Sequence, residues 1–187
     1  MPTTTELQFD RAFSRCRDLY IKKMKDYGAS WRIMRPSSLT DQIFIKARRI
    51  RTVETLGDHC VDEGILPEFI GIVNYGIMAL IQLDRGYADS KDIALDEAVE
   101  LYDRYMNSTR SLMLAKNHDY GEAWRMMRVS SYTDLILMKL QRTKEIEDNQ
   151  GTTIVSEGID ANYMDMINYA IFGIIKLTEP DAGTAGN

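Results

Sequence analysis

The chain has 187 residues, 44% of them hydrophobic and 27% charged, with four prolines, so it holds enough apolar side chain for a buried core and little room for a disordered linker. Its formal net charge of −5 argues against general nucleic-acid binding. The opening MPTTTELQFDRAF has neither a basic leader nor an apolar run, and Cys16 and Cys60 form no metal-ligand spacing, so the expectation is a cytoplasmic protein with reduced thiols.

Along the chain, Leu7, Phe9, Phe13, Leu19, Tyr20 and Met24 are spaced mainly by three, four and six with charges between, which predicts an amphipathic helix over residues 6–25. Asp26-Tyr27-Gly28 ends it, because Gly adopts the positive φ that stops a helix. An irregular segment with Trp31, Arg32, Met34 and Arg35 follows, closed by Pro36. The second helix is expected to begin at Ser37 or Ser38 and to run to Leu56, with Ser38 and Asp41 as a capping box. The third, with Pro67 in its first turn, runs to Leu83 and is apolar on nearly every side, as suits the centre of a bundle. Its length borders on that of a membrane span, but Glu68 and Asn74 interrupt it, so it reads as a buried core helix and no membrane partner is expected.

Residues 84–90 read as a linker, after which the pattern starts again. Helices are expected over 93–117, 131–147 and 159–177, with Ser131 and Asp134 repeating the capping box and a frayed tail over 179–187. The only β-like stretch is 152–155, in a variable loop. The restart is an internal repeat: DYGASWRIMRPSSLTDQIFIK, from Asp26, returns as DYGEAWRMMRVSSYTDLILMK, from Asp119, with thirteen of twenty-one positions identical at an offset of 93. Unrelated segments would agree at about one position. From Glu63 and Glu157 onward the offset is 94. The fold expected is therefore all-α, two tandem three-helix units (6–84 and 91–178) forming a pseudo-twofold helical bundle, so that one chain resembles a homodimer. A true homodimer is a further possible state.

The repeated identities are charged, aromatic, Gly and hydroxyl residues, which points to a repeated site or a repeated polar scaffold. Lys25, Arg32, Arg35, Lys46 and Arg49 return as Lys116, shifted by two residues, Arg125, Arg128, Lys139 and Arg142; both side-chain types suit phosphate oxygens, and a salt-bridged surface is the competing reading. Residues 22–51 hold nine Lys or Arg against Asp26 and Asp41, which fits a small anionic ligand. Lys139 interrupts an apolar run and needs a carboxylate or bound anion from outside its own helix. Tyr27 and Trp31, with Tyr120 and Trp124, offer faces for a nucleobase, or are core residues with one polar tip. Glu157, Asp165 and Asn168 supply oxygen ligands of the kind Mg²⁺ takes beside a nucleotide's phosphates; Gly71 replaces Asp165 in the first unit. Walker, GxGxxG and GxSxG motifs do not occur.

The KxxDYGxxWRxxR segment, the TDxIxxKxxR segment and the EGI…NY helix together resemble the bacterial and phage family called nucleotide modification associated domain, type 1, over Lys25 to Leu83 and Lys116 to Leu177. The resemblance implies an all-helical fold and a place in nucleotide or modified-base metabolism, with Asp26 and Asp119 inside the matching motif. A looser similarity runs to the all-helical nucleoside triphosphate pyrophosphohydrolases of the MazG and dimeric dUTPase type, but the only ExxE spacing, Glu97 and Glu100, sits in the first helix of the second unit. The leading expectation is a nucleotide-binding protein, with Mg²⁺-dependent hydrolysis of a nucleoside triphosphate as its enzymatic form. The alternatives are a nucleotide-sensing module without catalysis and a purely structural helical module.

Overall fold

The computed structural model describes residues 3–57 and 64–179; Cys60, Glu63 and residues 180–187, on which some expectations fell, lie outside them. Among the described residues the order is α1 (Thr4–Tyr27), a 3-10 turn (Ser30–Ile33), α2 (Pro36–Leu56), α3 (Leu66–Arg85), α4 (Leu95–Tyr120), a second 3-10 turn (Ala123–Met126), α5 (Val129–Asp148) and α6 (Ile159–Thr178), with no strand. The β-like stretch is loop, with Ile154 and Val155 exposed.

Helix α1 starts earlier than the apolar spacing suggests because Thr3 caps it: the Glu6 N–H donates to Thr3 Oγ1, and the Glu6 carboxylate accepts from the Thr3 N–H at 2.7 Å. It stops at Gly28, whose φ of +71° favours glycine and whose N–H donates to the Met24 carbonyl. The capping boxes expected at Ser38 and Ser131 do not form. Pro36 occupies the first turn of α2 and starts it before Ser38, so Arg35 is the N-cap; Arg128 is the N-cap of α5, and neither end has a side-chain cap. Asp41 and Asp134 are therefore free to pair across the helices, with Lys144 at 3.1 Å and Arg51 at 2.5 Å.

One apolar core runs through both repeats. Helices α3 and α6 lie at its centre, packed on each other and each on the second helix of its own unit, while α2 also packs on α5 and α1 on α4. Gly76 permits the close approach of α3 to α6, since a Cβ there would stand 2.6 Å from Ile167 Cγ1. Helix α3 is long and apolar enough to cross a membrane, yet most of it is buried inside the protein, as a core helix should be.

The pseudo-twofold relation appears in the contacts themselves. Arg17 donates to both oxygens of Asp103, and Arg110, its counterpart, donates to both oxygens of Asp10, the counterpart of Asp103. Across α2 and α5, Thr40 donates to Glu147 at 2.7 Å and Thr133 to Glu54 at 3.0 Å, again with roles exchanged. Asp41–Lys144 and Asp134–Arg51 form a third exchanged set. Such reciprocity is the signature of an isologous interface, here built within one chain.

Candidate functional site

Each repeat builds a cleft between the C-terminal half of its first helix, its 3-10 turn and its third helix. The first has a volume of about 500 Å³ and the second about 230 Å³. They are the same site by position. Lys23 and Lys116, Tyr27 and Tyr120, Trp31 and Trp124, Met34 and Met127, Asn74 and Asn168, and Tyr75 and Tyr169 line the two at corresponding places. The Lys and Tyr of α1 stand four residues apart, one helical turn, and so share a face.

The 3-10 turn that carries each Trp is fastened from behind. The Gln82 amide donates to the carbonyls of Trp31, Arg32 and Met34; its counterpart Lys176 donates to those of Arg125 and Met127. Arg32 is buried and committed to this scaffold: it pairs with Asp92 at 2.8 Å and donates to Gln82 and to the Gly86 carbonyl. Arg125 donates to Glu122 at 2.5 Å and to Thr5 and Gln8 of α1. The linker adds a strap to the first unit, with the Ala88 N–H on the Arg32 carbonyl and Lys91 Nζ on that of Tyr27.

The clefts differ at their polar ends. In the second, Asp165 is buried and both its oxygens are taken, one by Lys116 at 2.6 Å and the other by Lys139 at 2.8 Å. Burial acts to lower the pKa of Lys116, but the hydrogen bond and charge of Asp165 prevail and raise it. In the first, the matching position is Gly71, and the stem of Lys46 lies across it. The carboxylate there sits one turn earlier: Glu68 accepts from Arg49 at 3.0 Å and from Lys46 at 3.3 Å. Lys23 is exposed, and among the described residues it has no ion-pair partner.

The aromatic ends differ too. Phe172 stacks on Trp124 with centroids 4.5 Å apart and planes 8° from parallel, and the Arg125 guanidinium lies 4.4 Å from the same ring. In the first cleft Met78 replaces Phe172, and Tyr20 meets Trp31 only at a tilt, 6.5 Å away. Among the described residues, both indole N–H groups are buried without a hydrogen-bond partner.

The sequence matches the pattern described as Nucleotide modification associated domain 1 over residues 23–83 and again over 116–177, most of its length. The chain belongs to that family. No curated protein and no solved structure matches it. The first family segment begins at Lys23, not Lys25, and this restores the register: Lys116 has no two-residue shift, because its counterpart on α1 is Lys23.

Within the two family segments the structure sorts the expected site residues into distinct places. Tyr27, Trp31 and Lys46 line the first cleft, and Tyr120, Trp124, Asp165 and Asn168 the second, with Lys139 held against Asp165. Arg32 and Arg125 are scaffold, and Arg49 is tied to Glu68. Arg35 is exposed with its guanidinium 5.9 Å from the Tyr87 ring, and Arg128 and Arg142 are exposed. Asp26 is exposed, as is Asp119, whose Oδ1 lies 3.2 Å from the His118 ring.

The two residues expected to hold Mg²⁺ lie in different settings. Glu157 lies before the helix, since Gly158 is the N-cap of α6, and is exposed; Asp165 already carries two ammonium groups. Among the described residues no three His, Cys, Asp or Glu side chains converge. Lys139, expected to need a carboxylate or bound anion from outside its own helix, meets the carboxylate of Asp165 on α6, a residue read in the sequence as a metal ligand. Lys23 and Tyr75 line the cleft but stand outside the expected set; holding the 93-residue offset strictly would have found Lys23.

Proposed function

We propose that this chain is a nucleotide-binding protein of nucleotide or modified-base metabolism, with the cleft beside the 3-10 turn as the binding site. One observation carries the reading: Lys23 with Tyr27, and Lys116 with Tyr120, recur at the cleft rims although both tyrosines are exposed, 50% and 73%. Packing explains why a buried Trp returns in both units; it does not explain an exposed Tyr and a Lys one turn away. A Tyr ring presents a face to a nucleobase, and a Lys ammonium is a point charge for phosphate. Asn74 and Tyr75 add polar groups deeper in the same wall. A volume of about 500 Å³ falls within the range of small-molecule sites.

Binding is the part of the expectation that this wall supports. The hydrolytic form rested on Glu157 and Asp165 as a metal pair, and their placement gives it no support. The structural reading is favoured at Arg32 and Arg125, which serve the 3-10 turns under either view.

The test is equilibrium titration, followed by tryptophan fluorescence and thermal shift, with AMP, GMP, CMP and dTMP and the corresponding triphosphates. Lys23→Ala should weaken binding about tenfold or more, the order of one charge-assisted hydrogen bond, and leave Tm unchanged because the side chain is exposed. If none of these nucleotides shifts Tm or fluorescence at millimolar concentration, the nucleotide reading is wrong.

A further inference from the structure

The two clefts descend from one sequence but are not equivalent, and their differences are of one kind. In the second, side chains of α6 occupy the two places a nucleotide would fill. Phe172 lays an aromatic ring flat on Trp124, and Asp165 brings an anionic group to Lys116 and Lys139. The counterparts in the first cleft are Met78 and Gly71, one flexible and the other without a side chain, and the cleft is about twice as large.

From this we infer, building on the nucleotide reading, that only the first cleft receives the nucleotide and that the second is closed by its own Asp165 and Phe172. Lys23 and Lys46 line the first cleft, and Glu68, the carboxylate in its wall, is shared by Lys46 and Arg49. Lys23, with no ion-pair partner among the described residues, is the cation this arrangement leaves for a phosphate group.

Gly71 is the position that decides between the two states. A Cβ there would stand 2.5 Å from Cδ and Cε of Lys46, which are outer atoms of a flexible chain and can turn aside, as Lys139 does beside Asp165. Gly71→Asp should therefore rebuild the closed arrangement, with the new carboxylate on Lys23 and Lys46 in place of a phosphate.

The experiment is calorimetric titration of the full chain in EDTA with AMP, GMP, CMP and dTMP and with their triphosphates, on wild type, Gly71→Asp and Lys23→Met. Expected are one site per chain and a loss of tenfold or more in both variants. Lys23→Met alters an exposed side chain and carries the test if Gly71→Asp fails to fold. Two equivalent sites on wild type, or wild-type affinity in a folded Gly71→Asp or in Lys23→Met, overturn the asymmetry. Wild type that binds none of them removes the nucleotide reading itself, a result distinct from these.

Discussion

Asp165→Asn isolates the ion triad at the heart of the second repeat. The substitution keeps size and shape, so no cavity opens, and what changes is the charge between Lys116 and Lys139. The two lysines respond differently. The Lys116 side chain is 42% exposed and can turn to water, whereas that of Lys139 is 11% exposed and enclosed by the core. Removing one partner of a buried pair costs about 3–5 kcal/mol, because the remaining charge stays desolvated. In a chain of this size each kcal/mol moves Tm by about 2–4 °C, so the melt should fall by about 6–20 °C. Urea unfolding followed by circular dichroism gives the free energy directly. Asp165→Asn combined with Lys139→Met removes both charges, and most of the loss should return, since replacing such a pair by apolar groups of similar volume is close to neutral. A single variant within about 0.5 kcal/mol of wild type, the scatter of ordinary surface changes, would show that Lys139 is not held by Asp165; a double variant no better than the single one would refute the desolvation argument.

Two further tests use the broken symmetry of the repeats. Tyr102 donates to Asn74 Oδ1 at 2.7 Å, while its counterpart is Phe9, and Asn168 Oδ1 is left buried without a partner among the described residues. Tyr102→Phe should therefore cost about 1–3 kcal/mol by orphaning Asn74, and Phe9→Tyr should add about 1 kcal/mol by satisfying Asn168; a destabilised Phe9→Tyr in urea unfolding would mean that the second unit has no room for the hydroxyl. Burial raises the carboxyl pKa of Glu54 and of Glu147, with Asp134 adding to the first and Asp41 and Asp148 to the second. The folded state then binds these protons more tightly than the unfolded chain, so the contribution is fully present below the ordinary carboxyl value of 4.5 and is lost as pH rises through the raised folded values. The double variant Glu54→Gln, Glu147→Gln should gain on wild type across that rise, and a stability of the variant minus that of wild type that stays constant or falls between acid and neutral pH would reverse the assignment.

The sequence alone specified the duplication, the helices and their order, because those rest on local physics: apolar spacing within a few turns, Gly28 stopping α1, Pro67 opening α3, and a repeat visible at fixed offset. It also singled out Tyr27, Trp31, Tyr120 and Trp124, whose motif returns unchanged and which line the two clefts. Where local signals competed, the choice was not legible. Ser38 and Asp41 have the spacing of a capping box, but Pro36 begins the helix first.

What only the tertiary structure decided is which charge meets which. Lys139 and Asp165 lie 26 residues apart on α5 and α6, and the approach of those two helices, not any spacing, joins them. The same holds for Arg32 with Asp92 across the linker, and for the exchanged pairs of Arg17 and Arg110, whose partners belong to the other repeat. Helix crossing sets these distances, and a single turn along a third helix was enough to divide the clefts. At Glu68 the carboxylate is shared by Lys46 and Arg49, while at Asp165 it lies between Lys116 and Lys139. Ion pairing depends on separations of a few ångströms, which the order of residues along a helix does not encode.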